Sequence, residues 1–132
     1  MTFTAALIAF AAITFFAISM EIFVTYANQG FGFGFSSNRP SVEKGPFALR
    51  VERTYRNQIE SAAYIVPIFV VGAITSLDGP YVALATLLVI IGRAAFVLLY
   101  YTGIPFIRIP AFSLASFGTL YLGILLAHSG TI

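Results

Sequence analysis

Residues 4–27 read TAALIAFAAITFFAISMEIFVTYA, an apolar run in which Glu21 is the one charged side chain. Coiled at 1.5 Å per residue, such a run reaches about 36 Å, more than the ~30 Å hydrocarbon core of a bilayer. A stretch of this kind is a transmembrane helix. No basic region precedes it, and it is longer than the ~7 to 15 apolar residues of a signal-peptide core, so it reads as a helix that is retained.

Outward from that run the same pattern recurs. Residues 62–77 are apolar behind a polar beginning at Pro46, residues 81–101 form a third apolar stretch, and a fourth begins after Pro110. Between them, Asn28-Gln29-Gly30 and a segment to Gly45 containing Arg39, Pro40, Glu43 and Lys44 have loop chemistry, and Asp78-Gly79-Pro80 is a tight turn. The three Gly-Phe pairs over residues 30–35 lack both the preceding strand and the following Lys-Ser or Lys-Thr of a phosphate cradle, so they are expected in an interfacial loop. Four transmembrane helices are thus predicted over about residues 4–27, 46–77, 81–101 and 109–128, an all-α integral membrane four-helix bundle.

Composition agrees. Of 132 residues, 59% are apolar and only 9% charged, with a mean hydropathy of +0.94, whereas soluble domains carry about 25% charged residues. Four crossings of ~20 residues each leave no room for a separate soluble catalytic domain. The isoelectric point near 9.2 comes from seven cations spread thinly over a lipid-facing chain, so anionic lipid or a small anion is the expected partner rather than nucleic acid. The chain has no cysteine. Disulfides, thiolate metal sites and a cysteine nucleophile are excluded, and any thiol chemistry must use a thiol brought by the substrate.

Six of the seven cations, Arg39, Lys44, Arg50, Arg53, Arg56 and Arg108, lie in or beside the first and third connections. By the positive-inside rule those connections face the cytoplasm and both chain ends lie outside it, in the inner membrane if the source is bacterial.

Charged residues that enter the apolar region are the candidates for function. Arg50, Arg53, Asn57 and Glu60 lie within an arc of about 80° on one helix face, two guanidiniums and a carboxylate that can hold an ion of both signs. Arg93 stands within the third apolar run, ~18 Å in from Tyr81, where a charge costs ~2.5 to 3.5 kcal/mol on insertion scales and must face protein, water or ligand. Phe96 and Tyr100 follow it on the same face. Glu21, at similar depth by residue count, is expected as a partner for Arg93 or as a substrate ligand. His128 reads as a terminal interfacial residue. Ala111, Ala115, Thr119, Gly123 and Ala127 recur at intervals of four, a small-residue side that permits close helix approach.

The stretch Arg50-Val51-Glu52-Arg53-Thr54-Tyr55-Arg56-Asn57-Gln58-Ile59-Glu60 resembles the R-V-x-R-x-x-x-N-x-x-E signature of the MAPEG superfamily, membrane-associated proteins in eicosanoid and glutathione metabolism. The order of Gly92-Arg93, Tyr100 and Arg108 extends the resemblance over the whole chain. It implies a homotrimer that binds glutathione as co-substrate between subunits near the cytoplasmic face and takes a hydrophobic small molecule or lipid from the bilayer. Carried over residue by residue, Arg50, Arg53, Asn57, Glu60, Arg93 and Tyr100 become glutathione contacts, and Arg108 the catalytic arginine that stabilises the thiolate. The small-residue side of helix four suits subunit packing. Three departures stand out: Ser61 follows the signature glutamate in place of an aromatic, Phe96 stands where some members have tyrosine, and helix one ends without a basic residue.

The function expected is a glutathione transferase or peroxidase. The alternatives are a non-catalytic lipid-binding or scaffolding member of the same fold and, on the strength of Glu21 alone, a small multidrug transporter.

Overall fold

A computed structural model describes residues 1–130, and among these the chain forms four helices: α1 (Phe3–Phe35), α2 (Pro46–Ile74), α3 (Pro80–Thr102) and α4 (Arg108–His128). Each is long and apolar enough to cross a membrane. Four such helices are the architecture of an integral, multi-pass membrane protein.

Local chemistry explains the starts. Thr2 caps α1 by accepting from the Ala5 amide at 3.2 Å, and Pro46 and Pro80 occupy first-turn positions in α2 and α3, where a missing N–H costs nothing. Pro67 lies inside α2 without ending it, as membrane helices allow.

The first connection differs from expectation. The Gly-Phe segment is helical, and α1 runs past residue 27 to Phe35 across a kink at Gly30, whose backbone stands at φ 82°, ψ 169°. That conformation is open essentially only to glycine. Beyond it the chain folds onto α1: Tyr26 packs against Phe31 and Phe35 with ring centroids 5.4 and 5.6 Å apart, and the Tyr26 ring fills the space a Gly34 side chain would need. Gly30 turns the chain where the sequence expects the first helix to stop, and aromatic stacking sets the path beyond it. At its other end α2 stops at Ile74, three residues short of the apolar run, because Ser76 takes a positive φ of 53°.

The bundle is assembled mainly from two pairs, α3 with α4 and α1 with α2. In the first, Gly92 lies directly against the α4 backbone, and a Cβ there would meet the Ala111 oxygen and the Ala115 nitrogen at 2.8 Å each. Ala111, Ala115 and Thr119 are buried in the subunit. The small-residue side of α4 is therefore covered within the subunit over these positions, by α3 at Ala111 and Ala115 and by Ile68 of α2 at Gly123, while Ala127 at its end is exposed. Phe3, Phe10, Ile65, Phe69, Val89 and Leu122 fill the centre. Large apolar side chains such as Phe15, Phe23, Leu98, Phe117 and Ile124 remain exposed, which suits lipid as solvent, where association rests on packing and hydrogen bonds rather than burial from water.

Candidate functional site

The site grows from the rotation of α2. Counting from Arg50 at about 100° per residue, buried Val51, Thr54, Gln58, Ser61 and Ile65 fall between about +20° and +100°. On the same scale Arg50, Asn57, Arg53 and Glu60 follow at about 0°, −20°, −60° and −80°. The predicted arc is thus the flank of the core face. Its near half turns inward: Arg50 and Asn57 are half-buried, whereas Arg53 and Glu60 are exposed. Among the described residues no ion pair reaches Arg53 or Glu60.

Arg93 lies at 0% exposure between α3 and α2. Its Nε and Nη2 donate to Gln58 Oε1 at 3.1 and 2.8 Å, and Nη2 also donates to Asn57 Oδ1 at 3.0 Å. Gln58 Nε2 in turn donates to Thr14 Oγ1 at 3.0 Å, and the Thr14 hydroxyl donates to the Phe10 carbonyl at 2.9 Å. One polar line therefore crosses α3, α2 and α1. Arg93 also faces the Phe96 ring, 4.8 Å from its centroid. Its Nη1 is buried and has no hydrogen-bond partner among the described residues.

Glu21 is not part of this line. Thr14 and Arg93 are held level by Gln58, and Glu21 follows Thr14 by two helical turns, about 10 Å further toward the first connection. Equal depth, inferred from residue counts, fails because α1 does not end level with α3. Glu21 instead lines a cavity of about 720 Å³ between α1, the first connection and α2, with Asn28, Arg39, Lys44 and Glu52. At its rim Glu52 accepts from Lys44 Nζ at 2.8 Å and from Arg56 Nη2 at 3.0 Å.

Arg108 is the first residue of α4, and its guanidinium carbon stands 4.0 Å from the Tyr100 ring centroid. Tyr100 meets Phe96 edge-on at 5.5 Å, and Phe96 reaches Phe112 of α4 at 5.8 Å. Arg93, Phe96, Tyr100 and Arg108 thus form a ladder in which two rings of α3 stand between a cation of α3 and one of α4, each cation–ring step worth ~0.5 to 2 kcal/mol depending on desolvation. Arg50 closes the same end of the bundle: its Nε donates to the Tyr101 carbonyl at 3.2 Å, and its guanidinium lies 5.6 Å from the Phe47 ring. Gly103, at φ 72°, gives it room, since a Cβ there would stand 2.9 Å from the guanidinium carbon.

Of the expected site residues, Asn57 and Arg93 are in direct contact, Tyr100 and Arg108 are in direct contact, and Arg50 caps the group. Arg53 and Glu60 stand apart on the outer surface. His128 is exposed at the end of α4, its Nδ1 2.9 Å from the Ile124 carbonyl oxygen. Two residues escaped the sequence reading: Gln58, a variable position of the signature, and Thr14, one of several hydroxyls in an apolar run. The spacing 51, 54, 58, 61, 65 could have found Gln58, because it makes a buried amide unavoidable once α2 is helical.

Set against known proteins, residues 2–128 match the model of the MAPEG family. No curated protein and no solved structure matches the chain significantly.

Proposed function

Because the chain belongs to the MAPEG family, whose members serve eicosanoid and glutathione metabolism in membranes, we propose that it is a membrane-bound glutathione transferase or peroxidase for lipophilic electrophiles. In this reading it works as a homotrimer, with the first and third connections in the cytoplasm. The arrangement of Arg108 carries the proposal. It begins a helix, where unpaired backbone N–H groups and the helix dipole favour an anion, and it rests on a ring rather than on a carboxylate.

Glutathione needs both signs of charge around it. Arg93 and Arg50 suit its carboxylates. Glu60 and Arg53, unpartnered in one subunit, suit the ammonium and a carboxylate of a ligand lying against the outer face of α2, between neighbours. That placement also gives the trimer its support, because Arg93 already finds amide partners within its own subunit and does not require a second one.

A free thiol titrates near ~8.5, and electropositive sites lower cysteine thiols to ~3.5 to 7.5. Beside Arg108 the glutathione thiol gives its proton to water and remains as thiolate. The sulfur then attacks the electrophilic carbon, a C–S bond forms, and the leaving group departs with its bonding electrons. Replacing Arg108 by Ala should remove thiolate absorbance at neutral pH and slow conjugation of a chlorinated dinitrobenzene. Equal thiolate and equal turnover in Arg108→Ala would reduce Arg108 to a headgroup anchor.

One observation favours a second reading, a lipid-binding member without turnover. Phe96 is buried at the centre of the ladder without a hydroxyl, and the face of the nearest phenol, Tyr100, is covered by Arg108. Binding of glutathione or lipid with no conjugation by wild-type protein would select it.

A further inference from the structure

A buried arginine is ordinarily matched by a carboxylate, because removing a charge from its solvent leaves it costly unless an opposite charge compensates. Here every acceptor on Arg93 is a neutral amide oxygen. Around it lie the face of the Phe96 ring and the Tyr64 side chain, close enough to act on its charge but not a carboxylate, and among the described residues Nη1 has no hydrogen-bond partner. The guanidinium is fixed in direction while its charge is unspent.

Gln58 produces this state. It is itself 0% exposed, and its orientation is determined: the Thr14 hydroxyl is committed as donor to the Phe10 carbonyl, so Thr14 Oγ1 can only accept from Gln58. The amide nitrogen must therefore point to Thr14 and the amide oxygen to Arg93. An amide oxygen has two lone pairs and takes both guanidinium N–H bonds. A glutamate of the same length would take the same two bonds, and would also cancel the charge.

We propose that Gln58 is a positioning residue, oriented by Thr14, that aims Arg93 without neutralising it, so that the full charge is reserved for a carboxylate of the ligand. The identification of that carboxylate with glutathione rests on the functional reading above. The charge argument does not, since it concerns residues 14, 58 and 93 alone.

The test uses the full-length protein purified in detergent. Gln58→Glu preserves shape and both bonds from Arg93, adds a negative charge, and exchanges the donor to Thr14 for an acceptor, which the Thr14 hydroxyl meets only by turning away from the Phe10 carbonyl. Two quantities are read: the melting temperature without ligand, and the dissociation constant for reduced glutathione by calorimetry. Gln58→Glu is expected to melt above wild type, because Arg93 gains a counter-ion, and to bind glutathione at least tenfold more weakly, because the charge is spent internally. In an Arg93→Gln background the same substitution should no longer raise the melting temperature. A purely structural amide would leave glutathione affinity unchanged in Gln58→Glu, and that result, or a melting temperature no higher than wild type, overturns the proposal. If wild type binds no glutathione, the functional reading falls, and the melting comparison with and without Arg93 still decides the role of Gln58. Thr14→Val supplies a variant that adds no charge. It frees the amide to turn and should weaken binding severalfold with helix content retained, and unchanged affinity there also counts against the proposal.

Discussion

Gly92→Ala places one methyl group where α3 and α4 are closest. The added carbon would lie 2.8 Å from the Ala111 oxygen, 2.8 Å from the Ala115 nitrogen and 3.1 Å from the Ala115 Cβ. Two of these are backbone atoms of a helix and cannot rotate aside, so the helices must separate by several tenths of an ångström along their most extensive contact. Overpacking of this kind costs ~1 to 3 kcal/mol, against which the better helix propensity of alanine returns up to ~1 kcal/mol. The net expectation is a loss of about 1 to 2 kcal/mol, or roughly 3 to 8 °C in melting temperature for a chain of this size. Helical circular dichroism followed through a thermal ramp in detergent measures it, with Gly32→Ala as control. Gly32 is also within α1 but has nothing within 4 Å of its would-be Cβ, so its variant should melt at or slightly above wild type. Because Gly92 adjoins Arg93, the separation should also weaken glutathione binding. A Gly92→Ala protein that melts no lower than the Gly32→Ala control would show that the α3 and α4 backbones are not in contact there.

Gly103→Ala should cost about 1 to 2 kcal/mol from its left-handed backbone and push Arg50 off the Tyr101 carbonyl; lower melting with weaker glutathione binding is expected, while Gly32→Ala, with open space around it, weakens neither. Arg93→Met strands the oxygens of Gln58 and Asn57 at ~1 to 3 kcal/mol each but removes a charge costing ~2.5 to 3.5 kcal/mol. The fold should therefore survive by circular dichroism while calorimetry shows glutathione binding lost. Glu52→Gln breaks both surface ion pairs and should shift stability by less than about 1 kcal/mol; a larger drop in melting temperature would mean that the rim of the α1–α2 cavity holds the first connection in place.

The number of helices and their order were legible because lipid makes hydrophobicity a nearly sufficient signal: a run of apolar residues long enough to span can do little else. The signature residues of α2 were equally legible from their spacing, and the angular order from Arg50 to Glu60 matches their order from half-buried to exposed. Relative height was not legible. Placing Glu21 at the depth of Arg93 from the sequence ignores that α1 continues past the end of α3. The helical turn beyond Gly30 is hidden for another reason: the glycines argue for a turn, which Gly30 makes, and the helix after it is held by the packing of Phe31 and Phe35 on Tyr26, a contact across the kink. Gln58 was passed over because a motif directs attention to its named letters, whereas burial in α2 follows the positions between them.

The helices also differ in what they leave over. At 1.5 Å per residue, the 21 residues of α4 reach about 31 Å, barely the thickness of an average hydrocarbon layer, while α1 and α2 have turns to spare beyond it. Hydrophobic mismatch therefore falls unequally on the subunit. In a bilayer of ~27 Å, α4 fits with less than a turn in hand, but in a sterol-rich one of ~32 to 33 Å it falls short, and the membrane must thin around it or the bundle must lose tilt. Arg108 sits at the end of that shortest helix, so membrane thickness determines whether its guanidinium, and the Tyr100 ring beneath it, lies among the headgroups or is drawn below them.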